Sequence, residues 1–316
     1  MKLYRNTIDK FLESLSRRGL SPKTSERHAQ NLKYFRAYLR SKHINRENLE
    51  NFVTYYQKNH KPNTVNSAIC TLKLLLRFLY ETGKIKYELY YFLRSVKGEP
   101  FNPFIPTTEQ VQSVINCPET TSKYHSWIDR RKYDLFFKLL AWLALRRFEA
   151  LNLKIKDIDF TNDEIRIIGK GSYVRTLPLP KLLRGDLHGW FEEREAKPND
   201  WVFQSRTGTI CGAAVFTDEL KKRLEALNIK GVFTSHTFRR YWITEAVRAG
   251  MNTTMIMKYA GHTNFATHLK YVKLVAGDLR PLADEHPINK SPIPERPRDI
   301  PVVPIFLTLD NKHPES

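Results

Sequence analysis

Long apolar runs are missing from the 316-residue chain: although 41% of its residues are hydrophobic, no segment approaches the roughly 20 residues a bilayer-spanning helix needs. The start, MKLYRNTIDKFLESL, has neither the apolar region nor the small-residue cleavage site of a secretory leader and reads as an amphipathic helix. Without a lipidation motif, or a polybasic cluster beside an apolar anchor, no membrane partner is expected, and a cytoplasmic protein is expected. Cysteine is scarce as well. Cys70, Cys117 and Cys211 are scattered, provide neither a disulfide framework nor metal-ligand spacing, and are expected in or near cores. The sequence also lacks a P-loop and a clustered set of carboxylates for metal ions, so neither cofactor nor metal is expected.

Negative charge is in short supply. Against 52 lysines and arginines stand 33 aspartates and glutamates, a net charge of +19 with a pI near 9.8. That balance suits a polyanionic partner. Residues 1–100 hold 20 of the basic residues and only 8 of the acidic ones, so +12 of the +19 lies in the first third. This third is the expected grip on nucleic acid.

The chain divides into a helical segment over 1–95, a linker over 96–106, a second domain over 107–282 and a tail over 283–316. In the first segment helices are expected over 5–18, from Ser21-Pro22 to about Arg40, over 46–58, and from a cap at Asn63 or Thr64 to Gly83. Leu32, Phe35 and Leu39 repeat at helical spacing, and Val65, Ala68, Ile69, Leu72, Leu76 and Leu79 do the same. Beside these stripes run two polar ridges, one of Lys33, Arg36 and Arg40 and one of Asn66, Lys73 and Arg77. Two such ridges in one positive domain point to phosphate contacts. The three prolines of VKGEPFNPFIPTTEQ mark the linker. Beyond it come a helix capped by Thr107 or Thr108, a longer helix over about 130–152, a hairpin in EIRIIGKGSYVRTLPLP, and mainly helix from 181 to 280. The tail holds 7 of the 17 prolines, a density that favours extended chain.

Several polar residues fall at motif spacing. In SHTFRRYW, His236 and Arg239 are three apart and share a helical face, whereas Arg240 is rotated by roughly 100° and is left to DNA backbone or a carboxylate. YAGHTNFATHLKY places His262 behind a glycine and Tyr271 nine residues later. LALRRFEALNL sets two arginines in an apolar helix, where charge needs a partner or a function. Taken singly each is commonplace: His-x-x-Arg is usually structural, Gly-His a helix cap, Tyr271 a packing aromatic and Lys170 an exposed turn residue. Their order and spacing together carry the signal.

In that order the chain resembles the tyrosine site-specific recombinases, which include phage-type integrases and Xer-type proteins. ALRRFEAL with Arg146 is similar to the family's Gly-Leu-Arg-x-x-Glu helix, and IIGKGSYVRTLPLP with Lys170 to its hairpin lysine. HTFR with His236 and Arg239, AGH with His262, and THLKY with Tyr271 complete the set, and KPNTVNSAICTLKLLLRFLYETGKI is similar to the last helix of the core-binding domain. The likeness spans residues 5–280. Departures from the pattern are Ala144 for a usual glycine, Arg147 and Phe148 for an aliphatic and a small hydroxyl residue, Ala260 for leucine, and Arg240 for a second histidine. None removes a catalytic group.

The resemblance implies a mainly α fold with a small β-hairpin or sheet (α+β), a helical core-binding domain joined to a catalytic domain, and a C-shaped clamp around DNA. It implies Tyr271 as the nucleophile, leaving a 3′-phosphotyrosine and a free 5′-hydroxyl. Arg146 and Arg239 form the phosphate clamp, because guanidinium forks match phosphate geometry. Lys170 is the acid for the leaving oxygen, His236 handles the nucleophile's proton, and His262 donates to a nonbridging oxygen. The expected partners are double-stranded DNA with inverted-repeat sites and other protomers in a homo- or hetero-tetramer, with exchange of tail 283–316. Because the chain opens almost at once on core-binding helices, a simple Xer-like or mobile-element enzyme is expected; a silent accessory DNA-binding protein and a type IB topoisomerase are the alternatives.

Overall fold

A computed structural model describes residues 2–40, 42–117, 127–205, 207–262 and 264–275. The chain forms two compact units, Met1–Phe101 and Asn102–Ser316.

Four helices build the first unit: α1 (Arg5–Arg17), α2 (Pro22–Leu39), α3 (Arg46–Gln57) and α4 (Pro62–Glu81). Ser21 caps α2 by accepting the Thr24 N–H, and Asn45 caps α3 by accepting that of Asn48. Helix α4 starts at Pro62, with Lys61 before it, rather than at Asn63 or Thr64. Proline's fixed φ and missing N–H suit the first helical position, which moves the start forward. The stripes of α2 and α4 both face the core, where Leu32, Phe35, Leu76 and Leu79 are fully buried. Between them Thr71 Oγ1 meets His28 Nδ1 and accepts from Asn31 Nδ2, each at 2.9 Å, so the buried polar groups are paired across α2 and α4.

The second unit begins with α5 (Thr108–Ile115), capped by Thr107, and continues with α6 (Trp127–Trp142) and α7 (Arg147–Leu151). One helix was expected over 130–152. Two form because Ala144 adopts φ 50°, in the left-handed region, and turns the chain between them. Alanine and leucine are strong helix formers, so LAWLALRRFEAL hides this corner; it lies at the position where the family pattern has glycine.

An antiparallel sheet follows in the order β1 (Ile158–Asp159), β2 (Glu164–Ile168), β3 (Val174–Pro178). The hairpin is the expected one, with Ile168 opposite Val174; β1 is an addition to it. Alternation buries Ile165 and Ile167 on β2, and on β3 it buries Leu177 and Arg175. Helices α8 (Lys181–Glu193), α9 (Ala213–Ala226), α10 (Ser235–Arg248), α11 (Thr253–Ala260) and α12 (Phe265–Val275) complete the unit. The architecture is thus mainly helical with one small sheet.

Aromatic rings fill the core of this unit. Phe136 stacks on Phe216 at 3.9 Å and Phe137 on Phe238 at 5.6 Å, joining α6 to α9 and α10. Arg223, with no exposed surface, pairs with Asp134 at 2.6 Å and Glu219 at 3.0 Å and donates to the carbonyls of Val114 and Ile115. It thereby ties α5, α6 and α9 together. Cys117 and Cys211 are buried, but Cys70, expected in or near a core, is exposed on α4.

Candidate active site

The site is assembled on a buried carboxylate. Glu149 on α7 accepts from both ends of the Arg175 guanidinium at 3.1 and 2.8 Å, from Arg146 Nη1 at 2.7 Å and from the Arg146 backbone N–H at 2.9 Å. Burial pushes its pKa up, but the hydrogen bonds and charge of Arg175 and those of Arg146 outweigh that effect and hold the carboxyl below its usual range. Arg175 also donates to the Tyr259 carbonyl at 3.0 Å, and Arg146 Nη2 to the Gly261 carbonyl at 2.9 Å. The end of α11 is thereby fixed to α7 and β3. Gly261 has φ 68°, and a Cβ there would meet Arg175 Nη1 at 2.9 Å. Glycine is required twice over, for backbone hand and for space.

Thr234 and Thr237 begin α10, and the first turns of that helix carry His236, Arg239 and Arg240. Arg239 is buried. Its Nη1 donates to the Ala144 carbonyl at 2.7 Å, while Nη2 is buried without a partner among the described residues. Burial, reinforced by the nearby Arg146, pulls its pKa down to about 9. His236 is exposed at its outer edge; desolvation of its inner side, then Arg239, Arg240 and Arg146, lower its pKa and favour the neutral ring.

His262 follows Gly261, and its ring lies nearly parallel to that of Tyr271 with centroids 5.9 Å apart. Burial, with Arg239 and Arg146, lowers its pKa to about 3. Tyr271 sits on α12, buried against Ile243, Ala246, Ile256 and Ala260. Burial raises its pKa, against the pull of Arg239, Arg240 and Arg146. Arg240 adds a hydrogen bond to the phenol. Sequence reasoning had pointed Arg240 away from the chemistry. Because α12 packs on α10, the helical face next to Arg239 is covered by the helix that carries Tyr271.

Arg146, His236, Arg239, His262 and Tyr271 therefore converge. Lys170 starts the turn after β2, and the preceding Gly169 lies against Glu149, where a Cβ would be 3.3 Å from Oε1; the Lys170 side chain lies outside the described part. A groove of about 950 Å³ leads from Arg146 and His236 past Phe148, Lys154, Lys156 and Arg166. Arg147 leaves the cluster, donating to Thr217 at 3.3 Å and lying over the Phe148 ring at 5.2 Å.

In the first unit Lys33, Arg36 and Arg40 are exposed on one side of α2, beside a groove shared with α1. On α4, Lys73 is half-buried and Arg77 is exposed, 3.3 Å from Glu81. Asn66 differs from the expectation: its amide donates to the Val96 carbonyl at 3.0 Å and accepts the Val96 N–H at 2.9 Å. That side chain anchors the segment after α4 and leaves the ridge. Sequence reasoning missed Glu149 and Arg175 as organisers of the site. Two charges at inward-facing positions, one in an apolar helix and one on a strand two residues before the buried Leu177, were the available signal.

Comparison with known proteins places the chain among the tyrosine recombinases. Residues 107–276 match the Phage integrase family and residues 8–83 the phage integrase N-terminal SAM-like domain; the chain belongs to that family. It is 24% identical over 275 residues to tyrosine recombinase XerD of Listeria innocua, covering 82% of this chain and 91% of that protein. To tyrosine recombinase XerC of Staphylococcus epidermidis it is 23% identical over 286 residues, covering 86% and 94%. Among solved structures, the post-cleavage complex of XerH site-specific recombinase bound to a palindromic difH substrate matches 89% of each chain with a TM-score of 0.70 at 19% identity. A lambda integrase dimer bound to a COC' core site matches 87% of this chain and 96% of that one, with a TM-score of 0.70 at 14% identity. At these identities the structural likeness establishes the fold.

Proposed function

We propose that the protein is a site-specific recombinase that cuts and rejoins duplex DNA through a covalent 3′-phosphotyrosine. The observation that carries this reading is Arg239: a buried guanidinium with one arm held by the Ala144 carbonyl and the other without a partner, beside Arg146 and Tyr271. A buried unpaired cationic donor is costly in the free protein and is satisfied by a phosphate oxygen.

In the proposed reaction the Tyr271 oxygen attacks the scissile phosphorus. The bond from phosphorus to the tyrosine oxygen forms as the bond to the 5′-oxygen breaks. The phenolic proton passes to His236, whose lowered pKa keeps it neutral and able to accept. Lys170, at the hairpin turn, gives the departing 5′-oxygen its proton. Arg146, Arg239 and the neutral His262 donate to the nonbridging oxygens, where negative charge gathers. A 5′-hydroxyl from a second site then attacks the phosphotyrosine, and the steps reverse.

The substrate is proposed to be duplex DNA with short inverted repeats, two such sites being held by four protomers. Lys33, Arg36, Arg40, Lys73, Arg77 and Arg240 supply phosphate contacts in this reading. The tail 283–316 lies outside the described residues; if it is exchanged between protomers, its deletion weakens synapsis while leaving single-site binding intact. The decisive experiment is a duplex nicked beside the cleavage site. Wild type should accumulate a covalent adduct and Tyr271→Phe none. Binding without an adduct would leave an accessory DNA-binding protein, and relaxation of supercoils by a monomer without strand exchange would leave a type IB topoisomerase.

A further inference from the structure

His268 has no role in the chemistry set out above, yet it stands one helical turn before the nucleophile on α12 and is fully buried. Both of its ring nitrogens are buried without a hydrogen-bond partner among the described residues. A neutral imidazole carries one N–H donor and one acceptor, and leaving both unmet forfeits the solvation of each. Buried polar groups without partners are uncommon enough in folded proteins to need a reason. Leucine would fill such a position without that penalty.

The surroundings supply the reason. The His268 ring packs edge-on against His262, with centroids 5.9 Å apart, and Nδ1 of His262 is likewise buried and unpartnered. Burial first, and then Arg239, Arg146, His268 and Arg175, keep His262 neutral, so one of its nitrogens bears hydrogen and the other a lone pair. For Nε2 to offer its hydrogen to a phosphate oxygen, Nδ1 must hold the lone pair. In the free protein no partner on Nδ1 among the described residues selects that tautomer. From the observed centroid separation, an approach of about 1 Å would bring facing ring nitrogens of the two histidines to hydrogen-bond length.

We propose that His268 is a positioning residue: in the DNA-engaged site it donates a ring N–H to Nδ1 of His262 and so fixes His262 as the tautomer whose Nε2–H faces the phosphate. The inference rests on the reading that His262 donates to the scissile phosphate. Its signature is a pair of opposite effects. In the full-length protein, His268→Leu should slow single-turnover cleavage of the nicked duplex by roughly 10- to 100-fold, as loss of an outer histidine partner does elsewhere. The melting temperature of the DNA-free variant should stay equal or rise, because an unpartnered polar group has been replaced by an apolar one. His268→Gln, which keeps an N–H donor, should recover most of the rate. Nitrogen-15 NMR of the Tyr271→Phe protein on intact duplex should show His262 with hydrogen on Nε2 alone, and the added His268→Leu change should mix the tautomers. Wild-type cleavage by His268→Leu would overturn the proposal. So would a rate and melting temperature that fall together, with glutamine no better than leucine. A wild-type protein that forms no adduct would instead remove the recombinase reading itself.

Discussion

Glu149 grips Arg175 through both carboxylate oxygens, at 3.1 and 2.8 Å, with each side chain only 3% exposed. The pair holds two further parts of the site, because Glu149 also fixes Arg146 and Arg175 also fixes the Tyr259 carbonyl. Removing one member strands the other as a buried charge. Glu149→Gln should therefore lower stability by about 3–5 kcal/mol, read from the urea midpoint. Glu149→Gln combined with Arg175→Met should cost less than the sum of the two single changes, and strict additivity would show that the pair does not act as a unit.

Gly261→Ala tests the other end of the cluster. The left-handed backbone costs an alanine about 1 kcal/mol, and the new Cβ sits 2.9 Å from Arg175 Nη1. The Gly261 carbonyl that orients Arg146 must then shift. Covalent adduct formation should fall by roughly tenfold or more, while gel-shift affinity for duplex DNA is retained.

The two neighbouring arginines of α10 should behave differently. In the proposed mechanism Arg239 donates to the transition state, and Arg239→Ala should then cut the cleavage rate by about 10² to 10³, with binding preserved. Arg240→Ala removes a positive charge and a hydrogen bond that lower the Tyr271 pKa. The ascending limb of its pH–rate profile should move to higher pH; an unmoved limb would show that Arg240 does not act on the phenol.

Much of the layout was legible in the sequence. Helical spacing identified the buried stripes of α2 and α4, because amphipathic periodicity reports burial directly. The hairpin emerged from its Gly-Lys-Gly turn flanked by β-branched residues. Corners and partners were harder. The break at Ala144 is written in residues that favour helix, and it is met by Arg239 on the Ala144 carbonyl and by Glu149 capping the Arg146 N–H. Asn66 looked like part of a polar ridge, but a side-chain amide can serve as well to pin a neighbouring segment, and spacing does not distinguish the two uses. Arg240 was read from α10 alone, whereas its neighbour comes from α12. The roles of Glu149 and Arg175 depend on a contact across 26 residues of chain, which one-dimensional periodicity does not reveal.

Acid should weaken the fold before the carboxylates titrate. The unfolded chain protonates His262 near its ordinary 6.5, whereas the folded site does so only near about 3. Between these values the unfolded state binds more protons, so stability is present above pH 6.5 and is lost as the pH falls. His236 is shifted in the same direction. Melting temperatures measured from pH 7 to 5 should decline, and His262→Asn should flatten the decline.

Salt separates grip from scaffold in the first unit. Lys33→Ala and Arg36→Ala should each reduce the slope of log affinity against log salt by about 1 if each side chain meets a phosphate. Asn66→Ala should leave that slope unchanged and lower stability by about 1–2 kcal/mol, since both ends of its amide are bonded.

The Ala144 corner bears on how this protein is engineered. A continuous helix would have directed the Ala144 carbonyl along its own axis; the turn presents it sideways, where Arg239 takes it at 2.7 Å. Heat-based selection for sturdier variants should favour changes that straighten this segment and return the carbonyl to a helical ladder. Such variants would tolerate higher temperatures and lose the hold on Arg239, so screens for this scaffold need to select for strand cleavage alongside robustness.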